Sequence, residues 1–139
     1  MTDARAQSAA DAAKYISELL AAYPSIREVW LFGSRANGYA KPESDWDFLA
    51  FADEVTLTAL RGDLRFHRPG IGLMIVTDGN QFETPWMEGS RVDHGELAKG
   101  WRWKRRSATM ATYLAAKGDF RPTERRALLM YPQENKDAG

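Results

Sequence analysis

The stretch that decides the fold runs Val29-Trp30-Leu31-Phe32-Gly33-Ser34-Arg35-Ala36-Asn37-Gly38, and Ser44-Asp45-Trp46-Asp47-Phe48-Leu49 follows shortly after it. Residues 26–32 are rich in β-branched and aromatic side chains and stop at a glycine, which predicts a buried strand that ends in a tight turn. Residues 45–52 begin polar and end apolar, which predicts a second strand. The polar residues of this stretch therefore belong to one strand–turn–strand unit.

Two carboxylates and a Gly-Ser pair give this unit its chemistry. Asp45 and Asp47 are two residues apart on the predicted strand, so both side chains project from the same face. Paired carboxylates repel each other unless a cation lies between them, and oxygen ligands of this kind suit Mg²⁺ or Mn²⁺. Gly33 lets a ligand approach the backbone, and Ser34 offers a hydroxyl and an amide where phosphate oxygens are favoured. Together the residues predict a phosphate held against a metal ion.

This pattern resembles the nucleotidyltransferase superfamily, the DNA-polymerase-β-like group, and within it the small stand-alone bacterial members. The family signature is a hydrophobic strand, Gly-Ser or Gly-Gly, a spacer, and then Asp-hydrophobic-Asp-hydrophobic. Here these parts are Gly33-Ser34, the spacer 35–44 and Asp45-Trp46-Asp47-Phe48. The form Gly-Ser-Arg-Ala-x-Gly is typical of the small members, and the likeness covers roughly residues 10–80.

The resemblance implies an α/β fold with a mixed β-sheet of about four to five strands flanked by helices, in a single domain. We place the nucleotidyltransferase-like domain at residues 1–120. Residues 121–139 are predicted to form a C-terminal extension that is partly disordered.

The resemblance also implies a function. A metal-dependent nucleotidyltransferase binds a Mg-nucleoside triphosphate and transfers a nucleoside monophosphate to a hydroxyl acceptor, which could belong to a partner protein. In this scheme Asp45 and Asp47 are the catalytic residues and hold Mg²⁺ or Mn²⁺. Gly33, Ser34 and Arg35 bind the nucleotide.

The sequence departs from the family at a third carboxylate, which the family usually places near the start of the next strand. We predict that strand at residues 71–76, where the aligned position is Gly72. Asp78 lies six residues further on, about 20 Å away along an extended chain, and is a poor substitute. The alternative function is therefore a catalytically degenerate member that serves as a nucleotide-binding or partner-binding, antitoxin-like module.

The other elements are predicted from periodicity and turn signals. Apolar residues at helical spacing predict a helix over 8–23, with Ser8 and Asp11 as its capping box, and a middle helix around Leu57 and Leu60. Beyond residue 80 the pattern weakens. The expectations there are a helical turn near Phe82, a short strand over 91–93, an edge strand over 99–105 or a helix over 98–114, a helix over 107–117, and a last helix over 123–131.

Basic residues concentrate in one part of the chain. Residues 97–126 carry nine Lys or Arg and two acidic residues, and within 99–106 the basic residues alternate with Trp101 and Trp103. On an edge strand this alternation would bury the tryptophans and leave the charges in solvent, which is the interpretation we favour. Contact with a triphosphate or a partner is the second choice. Nucleic-acid binding through phosphate contacts and base stacking is the least favoured.

Composition limits the classes of chemistry. The chain has 139 residues and no cysteine, which excludes thiol catalysis, disulfide bonds and zinc sites built on thiolates. Its length suits one globular domain. The longest apolar runs, such as residues 48–52, are far shorter than the roughly 18 residues of a membrane helix, and we predict no secretory signal. We therefore expect a cytoplasmic protein with no membrane partner.

Overall fold

The computed structural model describes residues 6–87, 94–115 and 123–132. Its helices and strands alternate up to residue 76, and strands dominate afterwards. The elements in chain order are α1 (Ala9–Ala22), β1 (Glu28–Phe32), α2 (Ser34–Asn37), β2 (Trp46–Phe51), α3 (Glu54–Arg61), a 3-10 turn (Leu64–Phe66), β3 (Ile71–Val76), β4 (Gln81–Glu83), β5 (His94–Glu96), a π-helical turn (Leu97–Trp101), β6 (Lys104–Arg105), β7 (Met110–Ala115) and β8 (Thr123–Tyr131).

One mixed sheet runs through the described part of the chain, in the order β5-β4-β3-β2-β1-β8-β7-β6. Strands β2 and β3 are parallel, and the other neighbours are antiparallel. The predicted α/β class with a mixed sheet is confirmed. The predicted strand number is wrong, because the sheet has eight strands rather than four to five.

The elements up to β3 agree with the sequence predictions. Helix α1 begins after Ser8, whose hydroxyl accepts from the Asp11 amide while the Asp11 carboxylate accepts from the Ser8 amide, so the capping box is present. The predicted strands over 26–32, 45–52 and 71–76 and the middle helix correspond to β1, β2, β3 and α3. Strong periodicity and clear turn residues made these elements predictable.

The elements after β3 differ from the predictions. Residues 107–117 and 123–131 were predicted helical, but they contain β7 and β8, which pair with each other over six positions. Strand β8 also pairs with β1, so the tertiary pairing overrides the helix-forming composition of both segments. The helical turn near Phe82 is strand β4 instead.

The basic Trp-rich segment also folds differently from either prediction. It begins with a π-helical turn over Leu97–Trp101, and only Lys104–Arg105 forms an edge strand, so a helix over 98–114 is wrong and the edge strand over 99–105 is shorter than predicted. The strand predicted over 91–93 lies outside the described residues. The predicted domain boundary at residue 120 and the predicted disorder of the last residues lie outside them too.

Apolar side chains form a cluster on each face of the sheet. Alternation along β1 sends Val29 and Leu31 to the face covered by α1 and α3, and Trp30 and Phe32 to the other face. No α-helix covers that second cluster among the described residues; Leu97, Trp101 and Trp103 pack against it instead. We call the side of the sheet that carries this second cluster the second face. In the same part of the chain, no helix is long and apolar enough to cross a bilayer.

Candidate active site

The turn between β1 and α2 depends on Gly33. This residue has φ 76° and ψ −158°, a backbone conformation that is essentially restricted to glycine. Its amide donates a hydrogen bond of 2.8 Å to the Tyr113 hydroxyl, and its carbonyl accepts one of 2.8 Å from the Asn37 side chain. The turn that was predicted to bind phosphate is therefore fixed from both sides by the protein.

Asp47 lies beside this turn, on β2 between its two neighbouring strands. It pairs with Phe32 of β1 and with Gly72 of β3. A Cβ atom built on Gly33 would lie 2.6 Å from Asp47 Oδ2, and one built on Gly72 would lie 2.7 Å from Asp47 Oδ1. Both distances are too short for real contacts. The Asp47 carboxylate thus fits in a space that exists because neither neighbouring position has a side chain.

Asp45 occupies a different environment from Asp47. It is exposed and lies in the loop just before β2. Arg35 holds this loop, because its guanidinium donates to the carbonyls of Pro42 and Ser44 at 3.1 Å each and stacks 4.5 Å from the centre of the Trp46 ring. The structure therefore brings Arg35 to the base of the Asp45 loop.

The position predicted for the third carboxylate is Gly72. The parallel register places Gly72 directly opposite Asp47 on the neighbouring strand. Asp78 lies beyond the other end of β3, where its carboxylate accepts from the amides of Asn80 and Gln81, and these hydrogen bonds lower its pKa. In the described ranges no group of three His, Cys, Asp or Glu is placed to hold a metal ion. The carboxylates that remain as candidate ligands are therefore the two predicted ones, Asp45 and Asp47.

Helix α2 carries the second half of the predicted nucleotide site. Ser34 is its first residue, and the Ser34 hydroxyl makes no hydrogen bond within the described residues, so it is available to a ligand. Asn37 anchors the helix to β8 by donating to the Arg126 carbonyl at 3.1 Å and accepting from the Arg126 amide at 2.9 Å. The Arg126 side chain also donates to the Ala36 carbonyl at 2.6 Å. The position of Ser34 is therefore set by the last described strand.

Tyr113 is a site residue that the sequence analysis missed. It lies on β7, in a segment predicted to be helical, and no local signal relates it to Gly33. Burial raises the pKa of Tyr113, and the nearby negative charge of Asp47 raises it further, so the hydroxyl stays protonated at neutral pH. A protonated Tyr113 can accept from Gly33 and keep its own proton for another acceptor.

Aromatic rings cover the second face next to Asp47. The centre of the Trp101 ring lies 5.1 Å from that of Phe32 and 5.3 Å from that of Tyr113. Trp103 packs edge-on against Trp30 at 5.3 Å. These contacts agree with the favoured structural interpretation of the two tryptophans in the basic segment.

Comparison with known proteins supports the family suggested by the signature. Residues 14–68 match the family model described as Polymerase beta, Nucleotidyltransferase, and this segment contains the Gly33-Ser34 turn together with Asp45 and Asp47. Over residues 14–68 the match bears out the predicted resemblance to the nucleotidyltransferase superfamily. It ends before β3, so Gly72 lies beyond it.

One similar solved structure is a provisionally assigned nucleotidyltransferase from Sulfolobus solfataricus. The two chains are 25% identical, and the alignment covers 69% of this chain and 79% of the other, with a TM-score of 0.41. No curated protein matches this chain.

Proposed function

We propose that this protein binds a Mg-nucleoside triphosphate at Asp45, Asp47 and the Gly33-Ser34 turn, and transfers a nucleoside monophosphate to a hydroxyl acceptor. The observation that carries the proposal is the Asp47 carboxylate, seated between Gly33 and Gly72 inside the nucleotidyltransferase segment. Glycine at both positions leaves the room that this carboxylate needs beside the turn, where we propose that it holds the metal ion.

The donor set fits a magnesium ion that arrives with the nucleotide. Magnesium is usually held by one or two carboxylates together with substrate phosphates and water, rather than by a complete protein cage. Asp45 and Asp47 would supply the carboxylates, and Mn²⁺ suits the same ligands. When bound, the metal would neutralise charge on the reacting phosphate and on the pyrophosphate that leaves.

The protein groups around the metal would orient the phosphates. The Ser34 hydroxyl has no partner within the described residues and would donate to a phosphate oxygen. Arg35, already bound to loop carbonyls, would act by fixing the loop that carries Asp45. Phosphoryl and nucleotidyl transfer need positioning and charge stabilisation more than covalent help, and these residues supply both.

Gly72 favours a second candidate function, that of a degenerate nucleotide-binding or partner-binding module. In the part of the chain that the structure describes, no third carboxylate is placed beside Asp47 to act as base for the attacking hydroxyl. Loss of such a base costs about 10²- to 10⁴-fold in rate. Transfer by the wild-type protein is therefore expected to be slow, and the acceptor to be a protein rather than a nucleic acid. We place the protein in the cytoplasm.

Calorimetric titration with ATP and Mg²⁺ tests the binding half of the proposal. Wild type should bind, and Asp47→Asn combined with Asp45→Asn should lose the magnesium-dependent part of the affinity. The matched control is Asp78→Asn, which removes one charge but preserves the turn, because Asn can accept the same amide hydrogen bonds. Equal magnesium-dependent binding by wild type and the double variant would contradict the proposed site.

Transfer of label from an α-labelled nucleotide separates the two candidate functions. Candidate acceptors should include small hydroxyl compounds and proteins. Slow transfer that disappears in Asp47→Asn supports the transferase. Nucleotide binding without transfer to any acceptor supports the degenerate module.

A further inference from the structure

Arg125 lies on the second face, on the same side of the sheet as the candidate site. Strand β8 pairs Arg125 with Tyr113 of β7, and directly paired residues of an antiparallel ladder project to the same face. Tyr113 belongs to the second apolar cluster and contacts the Gly33 amide. The Arg125 side chain therefore leaves β8 next to the group that fixes the candidate phosphate turn.

Arg125 also lies beside helix α2. Its chain neighbour Arg126 donates its amide to the Asn37 side chain and accepts from it at its carbonyl. The Arg125 guanidinium lies 4.9 Å from the centre of the Tyr39 ring, just beyond the end of α2. The Arg125 guanidinium therefore lies near the end of α2, in the same helix–strand contact that positions Ser34.

The guanidinium has an unmet hydrogen-bond donor. Its Nε is buried and has no hydrogen-bond partner within the described residues. A buried donor without an acceptor is unfavourable, and more so when the group is charged. The Tyr39 ring does not satisfy it, because a ring face attracts the cation but accepts no in-plane hydrogen bond from Nε. A phosphate oxygen placed beside Nε would remove this cost.

The other arginines near the turn are engaged with the backbone. Arg35 also has a buried Nε without a partner, but its Nη2 donates to the carbonyls of Pro42 and Ser44, and Arg126 donates to the carbonyl of Ala36. In the parts of the chain that the structure describes, Arg125 makes no hydrogen bond or ion pair. Its guanidinium contacts the face of the Tyr39 ring. Within those ranges the Arg125 Nε is therefore without an acceptor, and its guanidinium is held only by a ring face.

We propose that Arg125 is a phosphate-binding residue of the candidate site, and that its guanidinium donates hydrogen bonds to the polyphosphate tail of the nucleotide. The inference rests on the proposed function and adds to it a cation from strand β8, which pairs with β7. Planar guanidinium groups bind phosphate oxygens through two parallel hydrogen bonds, which a lysine cannot reproduce. The polyphosphate would then extend from the Asp47 carboxylate, through its metal ion, past Ser34 to Arg125.

Calorimetric titration with ATP, AMP and inorganic tripolyphosphate tests the role of Arg125, with Arg125→Gln and Arg125→Lys as the variants. Arg125→Gln should weaken ATP and tripolyphosphate binding by about 10- to 100-fold, as expected for charge-assisted hydrogen bonds. AMP binding should change little. Arg125→Lys should recover part of the lost affinity, and thermal melting should show that both variants fold.

Two controls separate ligand binding from other effects. Arg27→Gln removes the same charge from an exposed position at the opposite end of β1, and should leave the affinities unchanged. Tyr39→Ala removes the ring contact of Arg125 and should also leave tripolyphosphate binding nearly intact. An equal loss of tripolyphosphate affinity in Tyr39→Ala and Arg125→Gln would show that Arg125 acts by holding the segment around Tyr39 in place. That result would overturn the proposal.

The outcomes for wild type and Arg125→Gln identify which proposal fails. If wild type binds ATP and Arg125→Gln binds it equally well, the role of Arg125 is wrong and the proposed function stands. If wild type binds neither ATP nor tripolyphosphate, the proposed function and the role of Arg125 are both overturned.

Discussion

The smallest residues of the site determine where its acid lies. The Asp47 carboxylate occupies space that a side chain at position 33 or 72 would need. An aspartate introduced at Gly72 would therefore not simply complete a three-carboxylate site, because its Cβ would first displace the Asp47 carboxylate. Position 72 therefore has two properties at once: it lacks the predicted third carboxylate, and its missing side chain leaves the space that the Asp47 carboxylate fills.

Gly72→Ala tests this link with the smallest change available. Its added methyl group should push the Asp47 carboxylate aside and weaken Mg-ATP binding about tenfold, about 1.4 kcal/mol. Gly100→Ala is the matched control, since a Cβ at Gly100 meets nothing within 4 Å. Parallel calorimetric titrations measure both variants, and equal affinities would show that the space beside Asp47 is not critical for binding.

Sequence alone proposed part of the candidate site, and the remaining candidates lay beyond its reach for a physical reason. Gly33, Ser34 and the two aspartates could be found because a turn and a strand bring them together locally. Tyr113 and Arg125 come from a hairpin far along the chain, and their positions follow from sheet register. No local pattern encodes that register, so neither residue could be predicted.

Among the elements, the end of α1 is joined to the segment after α3 by one carboxylate. The Tyr23 hydroxyl donates to Asp63 at 2.6 Å, and the Arg65 guanidinium binds the same carboxylate at 2.8 and 2.9 Å. The hydrogen bonds from Arg65, and next that from Tyr23, hold the pKa of Asp63 far below its ordinary value of 3.8. The ionised form of Asp63 is therefore favoured in the folded protein.

This pKa shift predicts a pH-dependent contribution to stability. Because the folded-state pKa lies below the unfolded value, the contribution is complete above about pH 5 and decreases as the pH falls through 4 and below. Asp63→Asn should therefore lower the melting temperature at pH 7, and its difference from wild type should shrink in acid. Thermal melts from pH 7 to pH 2.5 measure this, and a difference that stays constant with pH would contradict it.

Elements that are stabilised by local contacts could be predicted from the sequence, whereas elements that are stabilised by distant partners could not. Helix α1 carries its own capping box, and β1 to β3 have apolar patterns that end at glycine or proline turns. Strands β7 and β8 contain residues such as Leu, Met and Arg that locally favour helix, and they become strands because they pair with each other and with β1. Their strand state depends on distant partners, which local patterns do not report.

At the scale of the whole molecule, the sheet has one apolar cluster covered by helices and another covered by the chain's own later segments. Trp101 and Trp103 pack against the second cluster, whereas Lys104 between the tryptophan segment and β7 is exposed. The basic Trp-rich segment therefore combines a packing role, carried by its aromatic residues, with a charged outer surface.

Paired substitutions in this segment test that division. Trp103→Ala should lower the free energy of unfolding by about 2–4 kcal/mol, because it removes a large ring from the second cluster. Lys104→Ala should change it by about 0.5 kcal/mol or less, as is usual for an exposed side chain. Urea unfolding measures both. A stable Trp103→Ala variant with impaired ligand binding would show that the tryptophan faces a ligand rather than the cluster.

The position of β8 beside β1 also constrains how this protein is made. Residues 33–122 separate the two strands, so a ribosome must add all of them before β1 can acquire its second neighbour. At synthesis rates of about 5–20 residues per second, the nascent β1 edge stays open for roughly 5–20 s. An unpaired strand edge is a template for pairing with other chains. The growing polypeptide therefore passes through a period in which its first strand is exposed to intermolecular association, and chaperone binding in that interval would protect it.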